Sequence, residues 1–199
     1  LHMHIATKRP VRQGSHSEKM ATDALPILKF ETHCVQKPWG GSRLAPMCGG
    51  GQGGESIGEA WTVYDLPEAT ARVCGGPLAG RSLTELVASR GPALLGAAQL
   101  DDGRFPILTK LLDAREHLSV QVHPGPVHDS GGAPRSQFRW PGVKHELWYV
   151  LEVDPGAELF IGVRPGVAMK DVAEAAGTAR LVDLLQRRPA RKGEYFYLP

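Results

Sequence analysis

The sequence has little of what marks a polyanion binder, a membrane protein or a disulfide scaffold. Lys and Arg number 23 against 21 Asp and Glu, a formal net charge of +2 over 199 residues. So small an excess leaves no electrostatic footprint for nucleic acid or an anionic membrane surface. Long hydrophobic runs are missing: stretches such as Pro92 to Ala98 fall far short of the roughly 18 residues a helical membrane span requires. Cysteine is scarce, with three residues at Cys34, Cys48 and Cys74 and no C-x-x-C spacing. That odd, scattered set supports neither a disulfide framework nor a zinc ribbon. No segment has the basic, apolar and small-residue order of a secretory signal. These absences predict a soluble protein of a reducing, cytoplasmic compartment, with no nucleic acid and no membrane among its partners.

What is present is ordinary globular material. Hydrophobic residues make up 42% and charged residues 22%, which argues against disorder and against a coiled coil. Gly 24 and Pro 16 favour short strands and many turns over long helices. The length allows one domain of usual size, or one with an appendage. Leu1 to Lys19 are polar, basic and without period, so residues 1–19 are expected to be a tag or a disordered tail. His2, His4 and His16 are set aside with them, and residues 20–199 form the expected domain.

Along that domain, Ile27 to Gln36 predicts a strand ended by the turn signal Lys37-Pro38-Trp39-Gly40-Gly41. Glu59 to Asp65 has the aromatic and β-branched content of a second strand. Ser82-Leu83-Thr84-Glu85 is a capping box that starts a helix expected to end near Gly91-Pro92. Ile107 to Asp113 and Leu118 to His123 follow as strands, then a loop rich in Gly and Pro from Pro124 to Gly142. His145 to Val153 and Glu158 to Val163 are strands split by Asp154-Pro155-Gly156. A helical stretch covers Val167 to Arg188, broken at Gly177, and Glu194 to Leu198 is a last strand. Many short strands with helices as insertions predict a mainly β fold, a barrel or sandwich with a small helical excursion.

Leu118-Ser119-Val120-Gln121-Val122-His123 alternates strictly, so in a strand Ser119, Gln121 and His123 share one face. Gln121 and His123 then offer an amide oxygen and an imidazole nitrogen to one ion, or form a polar edge facing water. Glu146 opens an apolar run and stands either at a wet strand end or held by a cation. Gln, His and Glu without a thiolate suit Zn²⁺ or a similar divalent ion. His145 alternates away from Glu146 and is the poorer ligand. Lys110, apolar on both sides, needs an escape to solvent or an anionic partner such as a substrate phosphate. Trp39, ahead of two glycines, is a sugar-stacking ring or a core aromatic, and Trp61 in a strand reads as core.

Together these segments resemble the type I mannose-6-phosphate isomerase family, in its short bacterial branch. The matching stretches are KPWGGSRL at Lys37 to Leu44, GESIGEAWTV at Gly54 to Val63 and FPILTKLLDAREHLSVQVHPG at Phe105 to Gly125. KHELWYVLE at Lys144 to Glu152 and KGEYFYLP at Lys192 to Pro199 complete the set, in the family's order. The resemblance implies a cupin, a jelly-roll β-barrel holding one zinc ion through a Gln, two His and a Glu. Gln121, His123 and Glu146 match three of those ligands. The fourth belongs to a segment P-x-G-x-x-H-A whose first residue would be Pro199, so the resemblance implies an incomplete domain lacking that ligand and a second barrel region.

The family interconverts mannose 6-phosphate and fructose 6-phosphate through a cis-enediol. Such a reaction needs an electrophile for the developing oxyanion and a group that shuttles a proton. By resemblance Lys144 handles the proton or substrate, and Ser119 and Lys110 line the pocket for a phosphorylated hexose, with Trp39 as the candidate stacking ring. Glu59 in GEAW matches a family glutamate whose role the sequence does not fix. The expected activity of this chain is weak or absent, and a non-catalytic cupin binding a sugar phosphate is the alternative. Other cupin enzymes, epimerases or iron dioxygenases, carry His-x-His with Glu, from which Gln121-x-His123 departs. An open sheet edge where the chain stops predicts a homodimer.

Overall fold

The computed structural model describes residues 25–49, 56–98, 100, 103–122 and 144–198. They fall into two compact units, one ending at Leu118 and the other beginning at Ser119. Among the described residues no helix is long and apolar enough to cross a membrane.

The first unit is built on an antiparallel sheet of order β1-β2-β3, with β1 at His33–Gly41, β2 at Ile57–Val63 and β3 at Thr109–Leu112. The predicted strands at Glu59 to Asp65 and Ile107 to Asp113 are therefore present, each a little shifted. The first differs more. Lys37 to Gly41, expected as a terminating turn, lies inside β1, where Gln36 and Gly41 both pair with Ile57. Lys37 to Gly40 thus form a wide bulge, and glycine explains why the chain can stay close. A Cβ on Gly40 would lie 2.5 Å from the Gly58 nitrogen, so no other residue fits without moving backbone.

Helix α1 spans Leu83–Leu95 and starts as the sequence requires. The Glu85 amide donates to Ser82 Oγ at 3.2 Å, and the Ser82 amide donates to Glu85 Oε2 at 2.8 Å. That reciprocal pair satisfies two otherwise orphaned donors. The expected stop at Gly91-Pro92 is instead a kink. Arg90 leaves helical geometry (φ −135°, ψ 19°) and the chain resumes through Pro92 to Leu95. In the first turn of the resumed segment the missing proline N–H costs nothing. Leu83, Val87, Tyr64 and Ala71 make one core, with Trp61 packed against it as expected. Leu44, Ile57 and Ala60 make a second. Burying a side chain such as Leu86 contributes about 1.5–3 kcal/mol.

The sequence reading of unpaired cysteines is corrected here. Cys34 and Cys48 form a disulfide, with Cα atoms 5.9 Å apart, while Cys74 is free and exposed. Fourteen residues separate the pair in sequence. The chain reverses through the bulge and a 3₁₀ turn at Ala45–Cys48, which brings Cys48 back over β1.

The second unit contains β4 (Glu146–Tyr149), β5 (Glu158–Val163), α2 (Met169–Ala175), α3 (Arg180–Asp183), β6 (Leu185–Pro189) and β7 (Tyr195–Leu198). Strand β4 pairs antiparallel with β7, and β5 with β6. Strand β5 has the predicted bounds. The helical stretch Val167 to Arg188 is corrected: it breaks at Gly177 as expected, but Leu185 onward is strand. Cross-strand pairing overrides helical pattern there. Arg187 Nε donates to Glu158 Oε2 at 2.6 Å, and the carboxylate holds the guanidinium proton more firmly than usual. The predicted strand Leu118 to His123 is corrected as well. Residues 118–122 join no ladder among the described residues, and Val122 is 80% exposed. Alternation defines a face, but a strand exists only where a neighbour takes its hydrogen bonds.

Candidate active site

On the sheet of the first unit, register sets the side chains. Trp61 of β2 lies opposite Lys110 of β3, and Glu59 is two residues before Trp61 on the same face. The Glu59 carboxylate accepts the Trp61 indole N–H on Oε2 at 2.6 Å, and Oε1 lies 3.4 Å from Lys110 Nζ. Glu59 is 8% exposed. The anionic partner that Lys110 needs inside its apolar strand is therefore this carboxylate. The sequence singled out both residues but not their union, which the opposed strand positions alone reveal.

Trp39 sits in the β1 bulge. Its ring rests on Gly58, where a Cβ would come within 2.7 Å of Trp39 Cζ3. Its carbonyl accepts the amides of Arg115 and Glu116 at 2.9 and 3.2 Å, which ties the bulge to the end of β3. Asp113, buried beside Gly41, takes the Arg43 amide on Oδ2 at 2.7 Å. Sequence reading missed Asp113; an acidic residue closing an apolar strand before a turn was the available signal.

In the second unit, Glu146 begins β4 and is half-buried, with Oε2 3.3 Å from Lys144 Nζ. His145 points the other way, as alternation requires, and its Nδ1 shares a 2.5 Å hydrogen bond with Tyr197 Oη. Ser119 and Gln121 are exposed, in the segment without a ladder. His123 lies outside the described residues, as does the loop expected from Pro124 to Gly142. Among the described residues, no three His, Cys, Asp or Glu side chains gather as a cation cage.

Gln121, His123 and Glu146, the residues expected from the sequence to hold a cation, suit one by donor chemistry alone. An amide oxygen, an imidazole nitrogen and a carboxylate make a mixed N/O set of the kind that binds zinc. The carboxylate among them, Glu146, already takes a cation, the Lys144 ammonium.

The described structure is mainly β with few helices, the class the sequence predicted, and its solved relatives place it in the cupin fold. It aligns with the crystal structure of mannose 6-phosphate isomerase from Bacillus subtilis at a TM-score of 0.67 and 28% identity, covering 86% of this chain and 52% of that one. Mannose-6-phosphate isomerase of Streptococcus mutans is 34% identical over 172 residues, which are 86% of this chain and 51% of that protein. Mannose-6-phosphate isomerase ManA of B. subtilis is 30% identical over 176 residues, with the same coverages. The chain thus spans about half the length of the curated relatives it matches. The model of the type I phosphomannose isomerase catalytic domain matches residues 27–137, more than half of the sequence. On that match, the chain belongs to the type I phosphomannose isomerase family.

Proposed function

We propose that the protein is a metal-dependent aldose–ketose isomerase that interconverts mannose 6-phosphate and fructose 6-phosphate through a cis-enediol. The observation that carries this reading is the family match over residues 27–137, which spans Trp39, Lys110, Ser119, Gln121 and His123. Gln121, His123 and Glu146 would hold one zinc ion. When bound, zinc supplies a Lewis acid for the oxyanion that develops as the carbonyl enolises. Lys144, paired with Glu146 at 3.3 Å, handles the proton that moves between the two adjacent carbons. Ser119 and Lys110 donate to the hydroxyls or phosphate of the sugar, and Glu59 fixes the Lys110 ammonium. Trp39 offers a ring face to the hexose.

Residues 20–199 are read as a cupin-type catalytic domain, over a chain that spans about half the length of the curated relatives it matches. The setting we propose is cytoplasmic, where phosphorylated hexoses are handled, and the macromolecular partner is a second copy of the chain along an open sheet edge. The test is turnover of mannose 6-phosphate by the chain with added zinc, followed by coupled detection of fructose 6-phosphate. Weak but zinc-dependent turnover, abolished by His123→Ala, is the result expected. Binding of the sugar phosphate without turnover favours instead a non-catalytic sugar-phosphate module, and turnover that survives His123→Ala contradicts the assignment.

A further inference from the structure

The Cys34–Cys48 disulfide closes over the segment that carries Trp39. Cys34 lies on β1 opposite Ala60 of β2, and Cys48 is the last residue of the 3₁₀ turn. Both cysteines pack, partly buried, against the Leu44, Ile57 and Ala60 cluster. Hydrogen bonds hold the near side of this segment: the Lys37 amide reaches the Ser56 carbonyl, and the Arg43 amide reaches Asp113. Past Leu44 the described hydrogen bonds are local. Met47 donates to the Leu44 carbonyl, and Gly49, at φ 81°, donates to that of Ala45. None of the four residues of the 3₁₀ turn is fully buried. Beyond apolar contact with that cluster, the sulfur bridge is a covalent tie that fastens the far end of this turn to the sheet.

We propose that Cys34 and Cys48 form a redox-sensitive clasp that sets how firmly the 3₁₀ turn, next along the chain from the Trp39 bulge, is held on β1. A dithiol reductant opens it by exchange: an attacking thiolate breaks the S–S bond, a second thiolate releases the reductant as its own disulfide, and two protein thiols result. A small-molecule disulfide reverses the exchange with the same two electrons and two protons. Opening lengthens the leash on residues 45–49 and leaves the β1-β2-β3 ladder in place, because that ladder's hydrogen bonds do not involve the sulfur atoms. Any effect on ligand rests on the proposed role of Trp39; the clasp itself does not.

The test uses the full chain, air-equilibrated, treated with a dithiol, and as the Cys34→Ser/Cys48→Ser variant. Thiol titration should count one reactive cysteine, Cys74, before reduction and three after. Amide exchange at Met47 and Gly49 should then accelerate at least about tenfold, while the Asp113 amide, bonded to Gly58 in the sheet, changes less than about twofold. The double variant should behave as the reduced protein, and Cys74→Ser as the oxidised one. Three reactive thiols without reductant, or unchanged protection at Met47 and Gly49 after it, would overturn the clasp. If the double variant does not fold, the dithiol-treated chain decides alone. A Trp39 indole resonance indifferent to mannose 6-phosphate in both states counts against the ligand role of Trp39, and the amides still decide the clasp.

Discussion

Replacing Lys110 with Met removes the countercharge of a carboxylate that cannot easily rehydrate. At 3.4 Å, an effective dielectric of about 20 gives a Coulomb attraction of about 5 kcal/mol. Most of that is offset by desolvation, since the Glu59 side chain is 10% exposed and that of Lys110 27%. A loss of about 2 kcal/mol on Lys110→Met is the expectation, because Glu59 keeps the Trp61 indole bond but no cation. Glu59→Gln should cost less, about 1 kcal/mol, since the lysine can swing to solvent and the amide oxygen still accepts from Trp61. With Lys110 already Met, Glu59→Gln should recover part of the loss, so the cycle yields a coupling of about 1–2 kcal/mol. Urea unfolding followed by tryptophan fluorescence measures all four proteins. A Lys110→Met variant within about 0.5 kcal/mol of the parent would refute the claim that this carboxylate depends on its lysine.

Other expectations follow from single contacts. Ser82→Ala removes the cap acceptor and one arm of the capping box, for a loss of about 1 kcal/mol in chemical denaturation. Leu86→Ala leaves a cavity beneath α1 and should cost about 2–5 kcal/mol, with the midpoint of thermal unfolding as the readout. The Glu85 carboxyl is held below its ordinary value, first by the Ser82 backbone N–H. Its stabilisation is therefore complete above the unfolded carboxyl value and is lost as pH falls through the lower folded one, a slope that Glu85→Gln should flatten. Gly58→Ala places a methyl against Lys37 and Trp39, so the Trp39 indole resonance should move while circular dichroism of the sheet is retained.

Much of the fold was readable because it rests on local chemistry. The capping box at Ser82, the turn at Asp154-Pro155-Gly156 and the β-branched, aromatic run of β2 each state their structure within a few residues. What could not be read depends on distant partners. Lys37 to Gly41 carries every signal of a turn, yet Ile57 takes both flanks of the segment into one ladder. Leu118 to Val122 alternates as a strand should, but no described neighbour pairs with it. Arg187 and Arg188 fit a helical run until Glu158 and Glu194 hold them in extended chain. The cysteines looked unrelated because only the reversal through the bulge brings Cys48 to Cys34.

Of the candidate site, the types of residue were legible and their pairings were not. Lys144 and Glu146 stand two positions apart and meet at 3.3 Å, a pair that the sequence reading did not draw. The Lys110–Glu59 pair joins strands from residues about fifty positions apart, and nothing local in sequence links them. The convergence of Gln121, His123 and Glu146 rests on the family, so its direct measurement matters most. Cobalt(II) titrated into the chain, with its visible absorption recorded, reports the coordination number and the donors of the bound ion. We expect one equivalent bound with intense bands of low coordination, lost in Glu146→Ala and in Gln121→Ala. Equal uptake and equal spectra in the parent and both variants would contradict the account.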